Sequence, residues 1–553
     1  MVLYIVIGAL AACGVAYRQA GDSTTGLLST LVLWATITAV VSAIQWLLVE
    51  ALAGHARRNH PFRPVRTANG ADPKDPDPSI PLYERWYLET TPADSALPIS
   101  CSFIEFDERG DYLDFEQHRH AYSKILSLAP KTDPLTVVVY VHGWRHSGQS
   151  HDVVAFNAFL AQLSAADAHS PRPRRVHGVY LAWRGAALKH LVQSDAALDE
   201  VTKAYGGEII SPAVRARTTG PTFLLETLSY FERKSVPEHK FSGTQLSRSV
   251  FSCAFAAKRT APDCQVLLIG HSFGGLMLER TIQNASISEL TEAWAWGAER
   301  PTPPANPLPF DTILILNSAA PSIYAKQFQS YLAAHRQAMV DAGAPHANTP
   351  FVFSVTSVGD LATGITHPIA NSLCFLVPSL RRLYSGADFT LEHVGDFARV
   401  EIPQYYYYRH TPGHNPLLVN RFIEPLPAET EQTDVRWRQV HKNLSEPKRD
   451  LTQFDTTSPD GTIRRWRISF PPAKGSVGDV FSRYDGRRPV VWTQIPPGSG
   501  HYRYKDTAYW IMRCPKEIIN GHNDIWSQAA MDMYAALHRI SLEASASGGN
   551  STE

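Results

Sequence analysis

Two uncharged runs stand at the beginning of the chain. Residues 2–17 (VLYIVIGALAACGVAY) and 26–49 (GLLSTLVLWATITAVVSAIQWLLV) contain no Asp, Glu, Lys or Arg. The second is long enough to cross a bilayer as a helix, which takes about 20 apolar residues. The first is shorter and spans only with its flanks, so the pattern predicts a transmembrane helical hairpin over 1–54. Two buried core helices are the alternative. No basic stretch precedes the first run, which argues against a cleaved signal peptide. Only Arg18 lies between the runs, whereas Arg57, Arg58, Arg63 and Arg66 follow the second. Basic flanks stay on the cytoplasmic side. The expectation is therefore a membrane protein whose bulk faces the cytoplasm.

Residues 55–97 carry Pro61, Pro64, Pro73, Pro76, Pro78 and Pro81 among many charges, a pattern that predicts a semi-rigid linker. Beyond it, strand-like and helix-like patterns alternate, the mark of an α/β sheet. Strands are expected at Ile99–Phe106, Thr136–Val141, Val176–Ala182, Gln265–Ile269, Thr312–Leu316 and Phe351–Thr356. Several are near-continuous Val, Ile and Leu, as in parallel strands covered by helices on both faces. Between them, Val153, Phe156, Leu160 and Leu163 share a helical face. The alternation is lost over 361–505, which holds the aromatic run Tyr405–Tyr408 and many prolines. That stretch reads as an insertion or cap dividing a core of 98–360 from its completion at 506–543. The tail 544–553 (ASASGGNSTE) reads as disordered.

Composition narrows the function classes. Lys plus Arg and Asp plus Glu balance at 52 each, so no global field favours nucleic acid as a partner. Cys13, Cys101, Cys253, Cys264, Cys374 and Cys514 are scattered without a CxxC pair. Neither a disulfide scaffold nor a zinc site is expected. No H-E-x-x-H occurs, and the sequence calls for no metal or cofactor.

The strongest chemical signal is Gly270-His271-Ser272-Phe273-Gly274. It lies between the apolar strand Val266–Ile269 and a helical pattern. G-x-S-x-G gains meaning from this strand–turn–helix context. Small residues flanking a tight turn let strand and helix approach, and the turn presents Ser272 as a nucleophile. A Gly-rich turn without catalysis is the bland alternative. A second signal, His142-Gly143-Trp144, ends an earlier buried strand. An oxyanion hole needs two N–H donors aimed at the tetrahedral oxygen. The amides of Phe273 and Trp144 are the candidates.

Together these motifs resemble the α/β-hydrolase superfamily of esterases, lipases and thioesterases. FIEFDERGD at 103–111, VYVHGWRHS at 139–147, GVYLAWRG at 178–185, FERK at 231–234 and INGHNDIW at 519–526 are similar to a bacterial and fungal group within it. The likeness covers roughly 98–360 and 506–540. It implies an α/β-hydrolase fold, a mostly parallel sheet with helices on both faces; the two N-terminal transmembrane helices, the linker and most of the cap-like insertion, read from the residues above, lie outside it. It also implies a Ser–acid–His order of catalytic residues. Asp360, after the strand Phe351–Thr356, is the expected acid, with Glu392 and Asp396 as rivals. His522, in Asn520-Gly521-His522-Asn523-Asp524, is the expected base. His367, His393, His410, His414, His441, His501 and His538 are its competitors downstream of Asp360. Asp524 is expected to cap the helix that follows. The resemblance implies triad chemistry through an acyl-enzyme but no substrate; the expected activity is hydrolysis of carboxyl esters, with lipophilic esters suggested by the membrane anchor. An acyltransferase or thioesterase with the same residues is the near alternative, and a non-catalytic binding scaffold the distant one.

Overall fold

The computed structural model describes residues 85–92, 97–107, 110–128, 134–143, 151–167, 173–183, 236–240, 245–260, 263–284, 308–341, 350–368, 409–415, 418–426, 453–458, 461–469 and 508–547. Isolated residues 185, 234, 371 and 407 are described besides. The runs 2–17 and 26–49 lie outside them. Among the described residues no helix is long and apolar enough to cross a membrane.

Among the described residues, eleven strands form one sheet. They are β1 (Tyr87–Thr90), β2 (Ile99–Phe106), β3 (Leu135–Val141), β4 (Arg175–Trp183), β5 (Gln265–His271), β6 (Thr312–Leu316), β7 (Val352–Ser357), β8 (Arg421–Pro425), β9 (Gln453–Thr457), β10 (Ile463–Ser469) and β11 (Tyr509–Cys514). Their spatial order is β1-β2-β4-β3-β5-β6-β7-β11-β8-β10-β9. The pairs from β2 across to β8 are parallel, and antiparallel strands close both ends.

The α-helices among the described residues are α1 (Phe115–Leu128), α2 (His151–Asp167), α3 (Gln245–Thr260), α4 (Phe273–Asn284), α5 (Ser322–Asp341) and α6 (Gln528–Ser547). They cover the two faces unequally. Val137, Val139, Val141, Val266, Leu268, Ile313 and Ile315 pack with residues of α1, α3, α4 and α5. The alternate positions Val138, Tyr140, Leu267, Ile269, Leu314 and Leu316 pack with α2 and α6. Successive strand residues point to opposite faces. Burial on both faces therefore requires the continuous apolar runs read from the sequence.

Strand order creates a topological switch point between β3 and β5. From β3 the chain passes through α2 on one face to β4. It later returns to β5 on the other flank of β3 and leaves through α4 on the opposite face. The turns after β3 and β5 thus diverge at the carboxyl edge, the place where open α/β sheets bind ligands.

Three boundaries differ from the sequence expectation. The 55–97 linker ends earlier than expected, because β1 pairs along β2 and buries Tyr87 and Leu88. Three described strands of 361–505 join the sheet itself. β8 pairs beside β11, and β10 and β9 extend the same edge, with Trp466 and Ile468 turned into the core. Helix α6 runs on to Ser547, since Ala544–Ser547 offers nothing to stop a helix before Gly548 and Gly549. Of the aromatic run, Tyr407 is described. It is buried against α5, with Lys326 4.2 Å above its ring.

Candidate active site

Ser272 sits between β5 and α4 with φ of 55°, in the left-handed region that a non-glycine residue adopts at a cost. Backbone bonds hold it there. Its N–H donates to the Leu316 carbonyl at 3.0 Å, and its own carbonyl accepts from Ala319 N–H at 3.2 Å. The flanking glycines are steric necessities. A Cβ on Gly274 would stand 2.1 Å from the Val141 carbonyl oxygen, and one on Gly270 would stand 2.7 Å from Leu278 Cδ1. The turn closes only because helix α4 begins directly against the end of β3.

His522 lies on the loop joining β11 to α6, and Asp360 follows β7. The structure brings both to Ser272. Ser272 Oγ and His522 Nε2 are 2.8 Å apart, and His522 Nδ1 lies 3.0 Å from Asp360 Oδ2. Nδ1–H donates to the carboxylate, so Nε2 carries the lone pair that accepts the serine proton. Gly521, at φ of 91°, supplies the reversal that turns the imidazole toward the serine.

Asp360 is buried and closes its own turn by accepting bonds from the Thr363 N–H at 3.1 Å and the Thr363 hydroxyl. Burial alone pushes its pKa up. The charge and hydrogen bond of His522, with His414 and the Thr363 hydroxyl, outweigh this and hold it well below the usual carboxylate range. The acid therefore stays ionised and fixes the tautomer of its partner.

His142 of the H-G-W motif is a structural residue. Its Nε2 accepts the Trp183 N–H at 3.0 Å, so Nδ1–H donates to the Gly143 carbonyl at 2.8 Å. Its ring stacks on Trp183 at 8° between planes. This arrangement presses Gly143 against the serine turn: a Cβ there would stand 2.9 Å from Ser272 Cβ. Trp144 lies outside the described residues. Phe273 is the first residue of α4 and is buried. N–H groups in a first helical turn point away from the helix body.

His271, inside the nucleophile motif, reaches over to the histidine loop. Its Nε2–H donates to the His522 carbonyl at 2.9 Å, and the two rings are 5.1 Å apart. Farther out, Asp152 in the first turn of α2 gathers three donors. Tyr140 and Tyr180 hydroxyls reach Oδ2 at 2.7 and 3.1 Å, and Trp526 Nε1–H reaches Oδ1 at 2.6 Å. One buried carboxylate thus links the start of α2 to the chain four residues past His522.

The competing histidines separate clearly. His538 is buried in α6 and bonded to Thr312 and Gln265. His393, His441 and His501 lie outside the described residues, as do the rival acids Glu392 and Asp396. His367 is buried beside Asn371. His414 is nearer than its place in the insertion suggested. Its Nδ1 lies 3.1 Å from Thr411 Oγ1 and 3.4 Å from Thr363 Oγ1, behind the acid. Asp524 does not cap α6. Ser527 does, accepting the Ala530 N–H at 3.2 Å, while Asp524 accepts the Asn520 N–H at 3.4 Å across the loop.

Sequence reasoning missed Thr363, Asp152, Asn317 and the place of His414 behind the acid. No local motif marks any of them, since each acts through a contact that only packing creates. The four described cysteines, Cys101, Cys253, Cys264 and Cys514, are buried, and no disulfide joins them. In comparisons with known proteins the chain matches no family model, no curated protein and no solved structure.

Proposed function

We propose that this chain is a serine hydrolase of the α/β-hydrolase type that cleaves carboxyl esters through an acyl-enzyme on Ser272. One observation carries the reading. A serine at a strained strand–helix turn, a histidine 250 positions later and a buried carboxylate form one hydrogen-bonded relay. Such a relay exists to move a proton off a hydroxyl.

The chemistry follows from the donors and acceptors. His522 Nε2 takes the proton of Ser272 as Oγ bonds to the ester carbonyl carbon. The carbonyl oxygen takes up the displaced electron pair, and the Phe273 and Trp144 amides are the donors assigned to it. Asp360 stabilises the imidazolium. Collapse breaks the ester C–O bond, and His522 returns the proton to the leaving alkoxide. Water then gives a proton to His522 and attacks the acyl carbon. The bond to Ser272 breaks, and its hydroxyl is restored.

The uncharged runs 2–17 and 26–49 support a membrane-anchored protein with lipophilic esters as its substrate class. The arginines that follow them support a catalytic domain on the cytoplasmic side. The deciding experiment combines fluorophosphonate labelling with hydrolysis of p-nitrophenyl esters. Wild-type protein labels and turns over. Ser272→Ala loses both, with a drop in kcat on the order of 10⁶ if the triad acts as a unit. Labelling of the alanine variant at the wild-type rate overturns the assignment. Adding a competing alcohol distinguishes a hydrolase from an acyltransferase by its products.

A further inference from the structure

We propose that Asn317 is a positioning residue that holds the loop of His522 in register with the acid turn, an inference that rests on the hydrolase reading above. Asn317 ends β6, next to the nucleophile strand. It is fully buried, and its φ is 44°. A polar residue at the end of a buried strand, in the left-handed region, carries a cost in backbone strain and desolvation. Its side chain shows what offsets that cost. Nδ2 donates to the carbonyls of Gly521 at 3.0 Å and His522 at 2.9 Å. Oδ1 accepts the N–H of Ser357 at 2.9 Å.

One amide thereby joins two loops that belong to neither its own strand nor each other. Ser357 begins the turn to Asp360, and its hydroxyl donates to the Ile519 carbonyl at 2.6 Å, so the acid and base loops are tied twice. With His271 the amide places two donors on the His522 carbonyl. The peptide plane after His522 is thus fixed, and with it the direction of the imidazole. The orientation of the amide follows from its partners. Only an oxygen can face the Ser357 N–H, and only the NH2 can face two carbonyls. A carboxylate in the same shape would set an anion against two carbonyl oxygens.

The test uses the full chain with Asn317→Asp and Asn317→Gly. Glycine accepts the positive φ and removes the amide. Aspartate keeps the shape and the acceptor for Ser357 but loses both donors. The rate of fluorophosphonate labelling at Ser272 and the kcat and KM for a p-nitrophenyl ester are followed against pH. Both variants should lose about 10- to 100-fold in kcat with little change in KM, as expected when a reacting group is displaced by up to an ångström. The ratio of Asn317→Asp to wild type should rise as pH falls, because a protonated carboxyl regains one donor. The ratio for Asn317→Gly should stay flat. Wild-type kcat in either folded variant overturns the proposal. So does a loss in Asn317→Asp that is independent of pH, or failure of both variants to fold, since each makes the amide merely structural. Wild-type protein that never labels at Ser272 is a separate outcome. It overturns the hydrolase reading and the proposal with it.

Discussion

Gly143 offers a sharp test of how tightly the site is built. Replacing it with alanine puts a methyl group 2.9 Å from both Ser272 Cβ and His271 Nδ1, and 3.1 Å from the His271 carbonyl oxygen. Ordinary contact begins near 3.4 Å, so a gap of about 0.5 Å has to open, enough to forfeit much of a contact's attraction. The serine turn cannot give way freely. Its N–H and carbonyl are bonded to Leu316 and Ala319, and Gly274 lies against the Val141 carbonyl. On the proposed mechanism the strain falls on two distances: Ser272 to His522, and the amides assigned to the oxyanion to the reacting carbonyl. Losing one oxyanion donor costs on the order of 10² to 10³ in kcat, and an ångström of misplacement about 10². A displacement of half that size sets the expectation at roughly 10- to 100-fold in kcat with a smaller change in KM. The assay is p-nitrophenyl ester turnover, normalised by far-UV circular dichroism for folded protein. Gly359→Ala is the control. It adds a methyl group close to Asp360, but its nearest neighbours are atoms of the flexible Lys516 stem at 3.0 to 3.3 Å. The control should keep near wild-type turnover. Wild-type kcat in Gly143→Ala would refute the reasoning.

Three further outcomes are expected. Asp360→Asn should cut kcat by about 10⁴, because the amide no longer enforces the tautomer that leaves Nε2 free to accept a proton; a loss below tenfold would refute that role. Asp152→Asn should lower stability by about 2 kcal/mol in urea unfolding, since hydrogen bonds to charged groups contribute roughly 1.5–3 kcal/mol, and unchanged stability would show that Trp526 and the two tyrosines find other acceptors. Glu279, fully buried in α4 near Ser318 and Tyr509, has its pKa pushed up by burial to about 8. Its folded pKa lies above its unfolded one, so its stability contribution is complete below about 4.5 and is lost as pH rises through about 8. Glu279→Gln should flatten that part of the stability–pH curve, measured as the urea midpoint; a wild-type slope in the variant would assign the effect elsewhere.

The central sheet was legible because β3, β5 and β6 are buried on both faces and are apolar at most positions. Ser272 was legible for a related reason: a turn this tight admits few residues, and glycine on both flanks betrays it. His522 followed from chain order and from Gly521. The peripheral strands were harder. β1 has only Tyr87 and Leu88 buried and lies in a stretch dominated by prolines. β10 alternates Trp466 and Ile468 with arginines, a one-faced pattern that is easily lost among neighbouring prolines and loops. Asn317 belongs to no motif. Its partners are 40, 204 and 205 positions away, and no local pattern records a contact at that range. The same holds for His414, which reaches the acid turn only once Thr411–Asn415 has folded against it.

The wide spacing of the relay has a consequence for the order in which the molecule comes into being. A ribosome emits Ser272 first, Asp360 next and His522 only after β8, β9 and β10 have left the tunnel. The loop that carries His522 is anchored at one end by β11, which must insert between β7 and β8, and at the other by α6. Closing contacts of such long range is slow relative to local helix formation. On the proposed function, a nascent chain therefore displays its serine for many seconds at ordinary elongation rates without the base that would activate it. Reactivity toward an electrophilic probe would mark the moment at which the sheet is completed, which makes the protein a reporter of its own final folding step.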